Sequence, residues 1–212
     1  MSVSPAIPTQ RKVGVLVINF GEPDEPILEK VMPFLERIFL QNSSLEPDES
    51  GRERARQLAR QRAPGLIEEY REIGGSPLNE QADRQASELQ RVLEERKWDV
   101  TTYSCFQFTE PSIAQAAREA KADGVEILVA LPVYPICGQS TTVAALHQAR
   151  KSLEELSWSP TFVAISGWHH HPAYVTLRVD HARDFLERSG LDLDDPETLL
   201  CFSVHGTPLE YL

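Results

Sequence analysis

The feature that most constrains this chain is Val13–Phe20, VGVLVINF, an unbroken and mostly β-branched apolar run that ends in Gly21-Glu22-Pro23. A strand with one wet face alternates polar and apolar residues. A run without alternation is buried on both faces, as in a parallel sheet covered by helices on each side. The rest of the chain keeps the matching rhythm. Apolar residues at helical spacing (Ile27, Val31, Phe34, Leu35, Ile38, Phe39) predict a helix over 26–40, and polar 41–51 predicts a loop. Leu66–Ile73 predicts a short helix stopped by Gly74-Gly75, and Asn79 is placed to cap the helix that runs to about Lys97. Strands are predicted at Val100–Phe106, Val125–Tyr134, Phe162–Ser166 and Thr198–Val204. Helices are predicted between them, at Pro111–Lys121, Ser140–Leu156 and Tyr174–Arg188.

That order predicts an α/β fold: a doubly wound parallel sheet with right-handed crossovers and helices on both faces. In such folds ligands bind beyond the carboxyl ends of the strands. The loops after Phe20, Phe106, Tyr134, Ser166 and Val204 then share one rim. Residues 15–23 (VLVINFGEP) also echo residues 200–208 (LCFSVHGTP), each an apolar strand followed by Gly, one residue and Pro. The echo suggests that a second, similar half begins near residue 198. The expected organisation is a flexible leader at 1–12, an α/β domain at 13–197, and the start of a truncated second domain at 198–212.

Composition narrows the function classes. With 212 residues, 41% of them hydrophobic and 25% charged, the chain can bury a core. A net charge of −11 argues against general nucleic-acid binding, which needs clustered cations. The basic run Arg52–Arg62 reads as a solvated helix with interspersed glutamates. Cys105, Cys137 and Cys201 form no CxxC pair, which favours a reducing compartment and speaks against a thiolate-held zinc or iron–sulfur site. Without an apolar signal segment or a spanning run, a soluble cytoplasmic protein is expected.

The chemistry-bearing candidates sit on the rim. His205, in Ser203-Val-His-Gly-Thr-Pro208, follows a strand; its imidazole can take a proton or bind a metal there, or simply hydrogen-bond the turn. His169-His170-His171 precede Pro172; consecutive residues cannot all face one metal, so the run reads as a solvated loop with one member, His170, able to face the cleft. Gly74-Gly75-Ser76-Pro77-Leu78 is a turn into a helix whose free N–H groups attract anions, without the lysine of a phosphate-binding loop. Tyr134 follows the most apolar strand between Pro132 and Pro135, and Ser140-Thr141-Thr142 are placed to cap the next helix. Phe34, Ile38, Phe39 and Met32 either wall a cleft or pack on the sheet.

In order, these motifs resemble the ferrochelatase family. Asn19-Phe20-Gly21-Glu22-Pro23 is similar to its opening strand and Gly-x-Pro turn. Tyr70–Leu78 (YREIGGSPL) is similar to its Tyr-x-x-Ile-Gly-Gly-x-Ser-Pro-Leu segment, one residue shorter before the serine. Leu131–Pro135 with Ser140-Thr141-Thr142, then Trp168–Tyr174, then Ser203–Pro208 follow in the family's order. The resemblance runs from about Val13 to Leu212 and implies a chelatase-like, Rossmann-like half that helps insert ferrous iron, a substrate, into a porphyrin, with no organic cofactor. It implies His205 as the group that removes pyrrole protons or delivers the metal. Phe20, Phe34, Ser76 and Tyr134 are implied as porphyrin neighbours, with His170 and Ser203 near the cleft.

The serious departure from the family is one of length. Family members are longer, and their second half carries a carboxylate that faces the histidine across the ring. The expected partners are therefore the porphyrin and either a second polypeptide or a second copy that supplies the missing wall. A non-catalytic porphyrin- or heme-binding fragment is the alternative, and a generic α/β domain the remaining one. The apolar stripe Met32–Leu40 suits either helix packing or peripheral contact with a lipid surface. Protoporphyrin and coproporphyrin are left equally open.

Overall fold

The computed structural model describes residues 11–42 and 49–203. It divides into two compact units, up to Ser166 and from Gly167 onward. The first unit is built on four parallel strands: β1 (Val13–Asn19), β2 (Val100–Phe106), β3 (Ile127–Pro132) and β4 (Thr161–Ala164). Their order across the sheet is β2-β1-β3-β4. In register, Val13 faces Val100 on one side and Ile127 on the other. The run that carried the sequence argument is thus the inner strand, paired on both edges, which is why six of its seven residues are buried.

The strand period of two sends alternate residues to opposite layers. Leu16 and Ile18 join Leu128 and Ala130 under two helices, α4 (Ile113–Ala122) and α5 (Ala144–Glu155), which contribute Ala116, Ala117, Ala120, Ala145 and Ala149. These small residues let the helix backbones approach the sheet. Val13, Val15 and Val17 face the other layer, where α3 (Leu78–Glu95) contributes Ala86, Leu89 and Leu93. The doubly wound α/β architecture is therefore present as expected.

A third cluster lies at the exit of β1. Here α1 (Leu28–Asn42) packs on α2 (Glu49–Glu72) through Val31, Phe34, Leu35, Ala59, Ala63 and Ile67, with Phe108 beneath. The expected short helix at Leu66–Ile73 is the last part of α2, a single helix that continues through Pro64. The alanines at 55, 59 and 63 explain this: an i, i+4 buried stripe against α1 outweighs the one backbone bond that proline removes. Residues 41, 42 and 49–51, expected as loop, are helical, at the end of α1 and the start of α2. The basic run is solvated as expected, its arginines pairing with glutamates such as Glu53 and Glu69.

The second unit, described by itself, holds a 3₁₀ turn at Trp168–His170 and α6 (Pro172–Ser189). The Trp168 and Tyr174 rings meet edge to face at 5.0 Å. The strand expected at Thr198–Val204 is not formed over 198–203, and Val204 lies outside the described residues. A strand exists through its ladder, and 198–203 pair with no strand among the described residues; apolar composition alone does not hold extended backbone. Leu199 and Phe202 are exposed instead.

Candidate functional site

All four strands run the same way, so the exits of β1, β2 and β3 come out on one edge beside each other. Backbone pairing continues past the strands: Gln107 N donates to Asn19 O at 3.0 Å, Phe108 N to Phe20 O at 3.2 Å, and Val133 N to Ile18 O at 2.8 Å. Segments 106–109 and 133–134 therefore flank the end of β1.

Gly21 makes the first tight turn. Its φ is +84°, and a Cβ there would lie 2.2 Å from Thr109 Oγ1 and 2.9 Å from Phe106 Cβ. Only glycine allows the β2 exit to close over the β1 exit in this way. Phe20 then turns into the third cluster, its ring centroid 4.5 Å from Phe108 and 6.1 Å from Phe34. Phe20 is half-buried, while Phe34 is 6% exposed and packed between α1 and α2. Of the two phenylalanines expected at the ring, Phe20 presents surface and Phe34 backs it.

Glu22, singled out by no motif in the sequence reading, is the buried acid of this edge at 5% exposure. Its Oε1 accepts from the backbone N–H of Leu78 at 2.8 Å and of Asn79 at 3.3 Å, and Tyr70 Oη donates to Oε2 at 3.5 Å. Asn79 does not cap α3 as expected. Its side chain turns back to Glu22, accepting from Glu22 N at 3.1 Å and donating to Glu22 O at 3.0 Å. The start of α3 is thus capped by a carboxylate from 57 residues earlier in the chain. Burial, then the Glu22 carboxylate, pushes the Tyr70 hydroxyl above its ordinary pKa. Ser76 is exposed, its Oγ accepting from Leu78 N at 3.3 Å.

At the neighbouring exit Tyr134 donates to Gln107 Oε1 at 2.6 Å across the end of β1. Burial first, then the neighbouring Cys105, raises its hydroxyl far above the usual tyrosine value. Gln107 is 8% exposed, and its amide nitrogen has no hydrogen-bond partner among the described residues. Ser140-Thr141-Thr142 do not cap α5. They lie within a π-helical turn, Gln139–Val143, where Thr142 Oγ1 donates to Ile136 O at 3.3 Å and Thr141 Oγ1 to Gly138 O at 3.4 Å. The Thr141 and Thr142 hydroxyls bond carbonyls of the incoming loop, and no side chain caps the start of α5.

His170 and Ser203 belong to the second unit, where both are exposed. The His169 and His170 rings lie 4.0 Å apart, and His171 Nδ1 accepts from Ala173 N as the cap of α6. Among the described residues no three of His, Cys, Asp and Glu are grouped to hold a metal. His205, the residue expected to carry the chemistry, lies outside the described residues, as do Gly206–Pro208. No helix among the described residues is long and apolar enough to cross a membrane.

The four-stranded parallel sheet with helices on both faces places this chain among the α/β proteins, a class whose ligand sites lie beyond the strand exits. Sequence comparison carries the assignment further. The profile of the ferrochelatase family matches residues 12–212, and the chain belongs to that family. A ferrochelatase of Synechococcus sp. (strain RCC307) is 33% identical over 208 residues, covering 95% of this chain and 52% of the relative. Ferrochelatase-2, chloroplastic, of Cucumis sativus is 32% identical over 209 residues, 95% of this chain and 40% of the relative. A ferrochelatase of Gloeobacter violaceus is 30% identical, with 62% of its length covered. The chain spans about half the length of most of the curated relatives it matches.

Proposed function

We propose that this chain supplies the porphyrin-facing half of a ferrochelatase, acting in heme biosynthesis to insert ferrous iron into a porphyrin. The observation that supports it most is the match over 12–212, which includes the rim turns and the Ser-x-His-Gly-x-Pro segment at 203–208. In this reading the flat ring lies on the strand-exit edge. Phe20 offers apolar surface, with Phe34 and Phe108 behind it, and Ser76 and Tyr134 stand at neighbouring turns. Metalation expels two pyrrole protons as the ring nitrogens take up one Fe²⁺. His205 accepts one of them and solvent the other, the acid–base role an imidazole can serve near neutral pH. A segment outside residues 1–212 contributes the carboxylate that faces His205, and the three unpaired cysteines suit a cytoplasmic setting.

The test is porphyrin metalation by the purified chain, followed by absorbance with ferrous iron or zinc, beside His205→Ala. Turnover should fall by about 100-fold or more in the variant, the scale of one lost acid–base group, while porphyrin binding stays within about threefold. Insertion that survives the substitution overturns the role of His205. Binding without turnover in the unaltered chain would instead favour the porphyrin-binding fragment.

A further inference from the structure

We propose that Glu22 is the positioning residue of this edge: its carboxylate caps α3 from the β1 exit and thereby fixes the Gly74–Pro77 segment in the geometry that receives the ligand. The inference rests on the ferrochelatase reading for the identity of the ligand, a porphyrin, but the cap itself stands on geometry alone.

The α3 start has no cap of its own. Pro77 occupies the N-cap position and has no side-chain acceptor, so the first N–H groups of the helix need another partner. Glu22 is that partner, and the match is mutual: a carboxylate buried to 5% exposure requires strong donors, and a helix N-terminus supplies them with its dipole aligned. The Asn79 side chain, bonded to both backbone groups of Glu22, closes the clasp from the other side.

The segment it anchors has little else to hold it. Gly74 and Gly75 have φ of +75° and +94° with no neighbour within 4 Å of a Cβ position, and Ser76 is exposed. On the α2 side the segment is tied by Gly75 N to Tyr70 O at 2.8 Å, and Tyr70 itself reaches Glu22. Both ends of a glycine-rich turn therefore converge on one carboxylate. Without it Asn79 N loses this acceptor and Leu78 N keeps only the exposed Ser76 Oγ at 3.3 Å, and the glycines have the freedom to let the turn drift.

The experiment uses the full 212-residue chain with Glu22→Ala, Glu22→Gln and Asn79→Ala. Backbone amide exchange at Leu78 and Asn79 is read by NMR, and affinity by protoporphyrin IX fluorescence titration well below the melting transition. Glu22→Ala should speed exchange at both amides and weaken protoporphyrin by about fivefold or more, as expected of a lost cap. Glu22→Gln keeps one acceptor oxygen and should restore affinity to within about twofold. Asn79→Ala, which keeps the carboxylate, should fall between them, and it gives the same reading if Glu22→Ala does not fold. Unchanged exchange in Glu22→Ala would overturn the cap. Faster exchange with unchanged affinity would overturn the positioning role. If the unaltered chain fails to bind protoporphyrin, the porphyrin reading and the ligand part of this inference fall together, and the exchange data judge the cap alone.

Discussion

The exits of β1 and β3 lie side by side and turn the chain by different means. At β1 the turn depends on one glycine with no room for a side chain and on a buried carboxyl group held by backbone amides. At β3 it depends on neutral groups: a tyrosine hydroxyl bonded to Gln107 and two threonine hydroxyls bonded to loop carbonyls. The first arrangement is intolerant because side-chain atoms of Thr109 and Phe106 already fill the space that a Cβ at Gly21 would need. The second is assembled from side chains that can rotate, so its loss should be graded. The two exits should therefore differ in how steeply stability responds to a single atom.

The sharpest way to expose the difference is Gly21→Ala. The added methyl would meet Thr109 and Phe106 while forcing alanine to a φ of +84°. Strain and overlap together should cost about 4–5 kcal/mol, near the whole stability of a small domain. A urea melt would show it; a cost below about 1 kcal/mol would mean that the β2 exit yields easily and that the contrast between the exits is false.

Phe34→Ala should come next, at about 3–4 kcal/mol, because Phe34 is buried between α1 and α2 and packs on Phe20 and Phe108. A melt beside a porphyrin titration checks it. Loss of affinity with no loss of stability would place Phe34 at the ligand and not behind it.

What the sequence could reveal about these exits follows from the range of the interactions. β1 was legible because an unbroken apolar run has a single structural use, and β2 matched residue for residue because Val100–Phe106 sits between polar turns. The long α2 was missed because Pro64 is read locally, whereas the alanine stripe that overrides it acts through α1. At the site, Gly21 and Tyr134 carried local signals, a Gly-x-Pro turn and a proline-flanked aromatic. Glu22 carried none, since its role depends on amides of residues 78 and 79, and Asn79 was misread because a cap rule cannot see a competing partner so far along the chain. Thr198–Ser203 shows the converse, a local strand signal with no ladder to realise it.

The mildest of the three changes, Tyr134→Phe, tests the β3 exit. Removing the hydroxyl leaves the Gln107 carbonyl oxygen without its donor, in a side chain whose amide nitrogen already lacks a partner among the described residues. The cost near neutral pH should be about 1–2 kcal/mol. Burial holds the Tyr134 hydroxyl protonated in the folded chain at pH values where the unfolded chain ionises, near its ordinary 10.0. The unfolded state then binds fewer protons, so this part of the stability is complete below pH 10.0 and is lost as pH rises further. Phenylalanine removes that dependence. The wild type should lose stability more steeply than the variant between about pH 9 and 11, so the gap measured near neutrality narrows or reverses. Tyr70, also raised by burial, keeps a residual slope in both proteins. Parallel urea curves across that range would show that the hydroxyl is solvated and that the β3 exit does not depend on it.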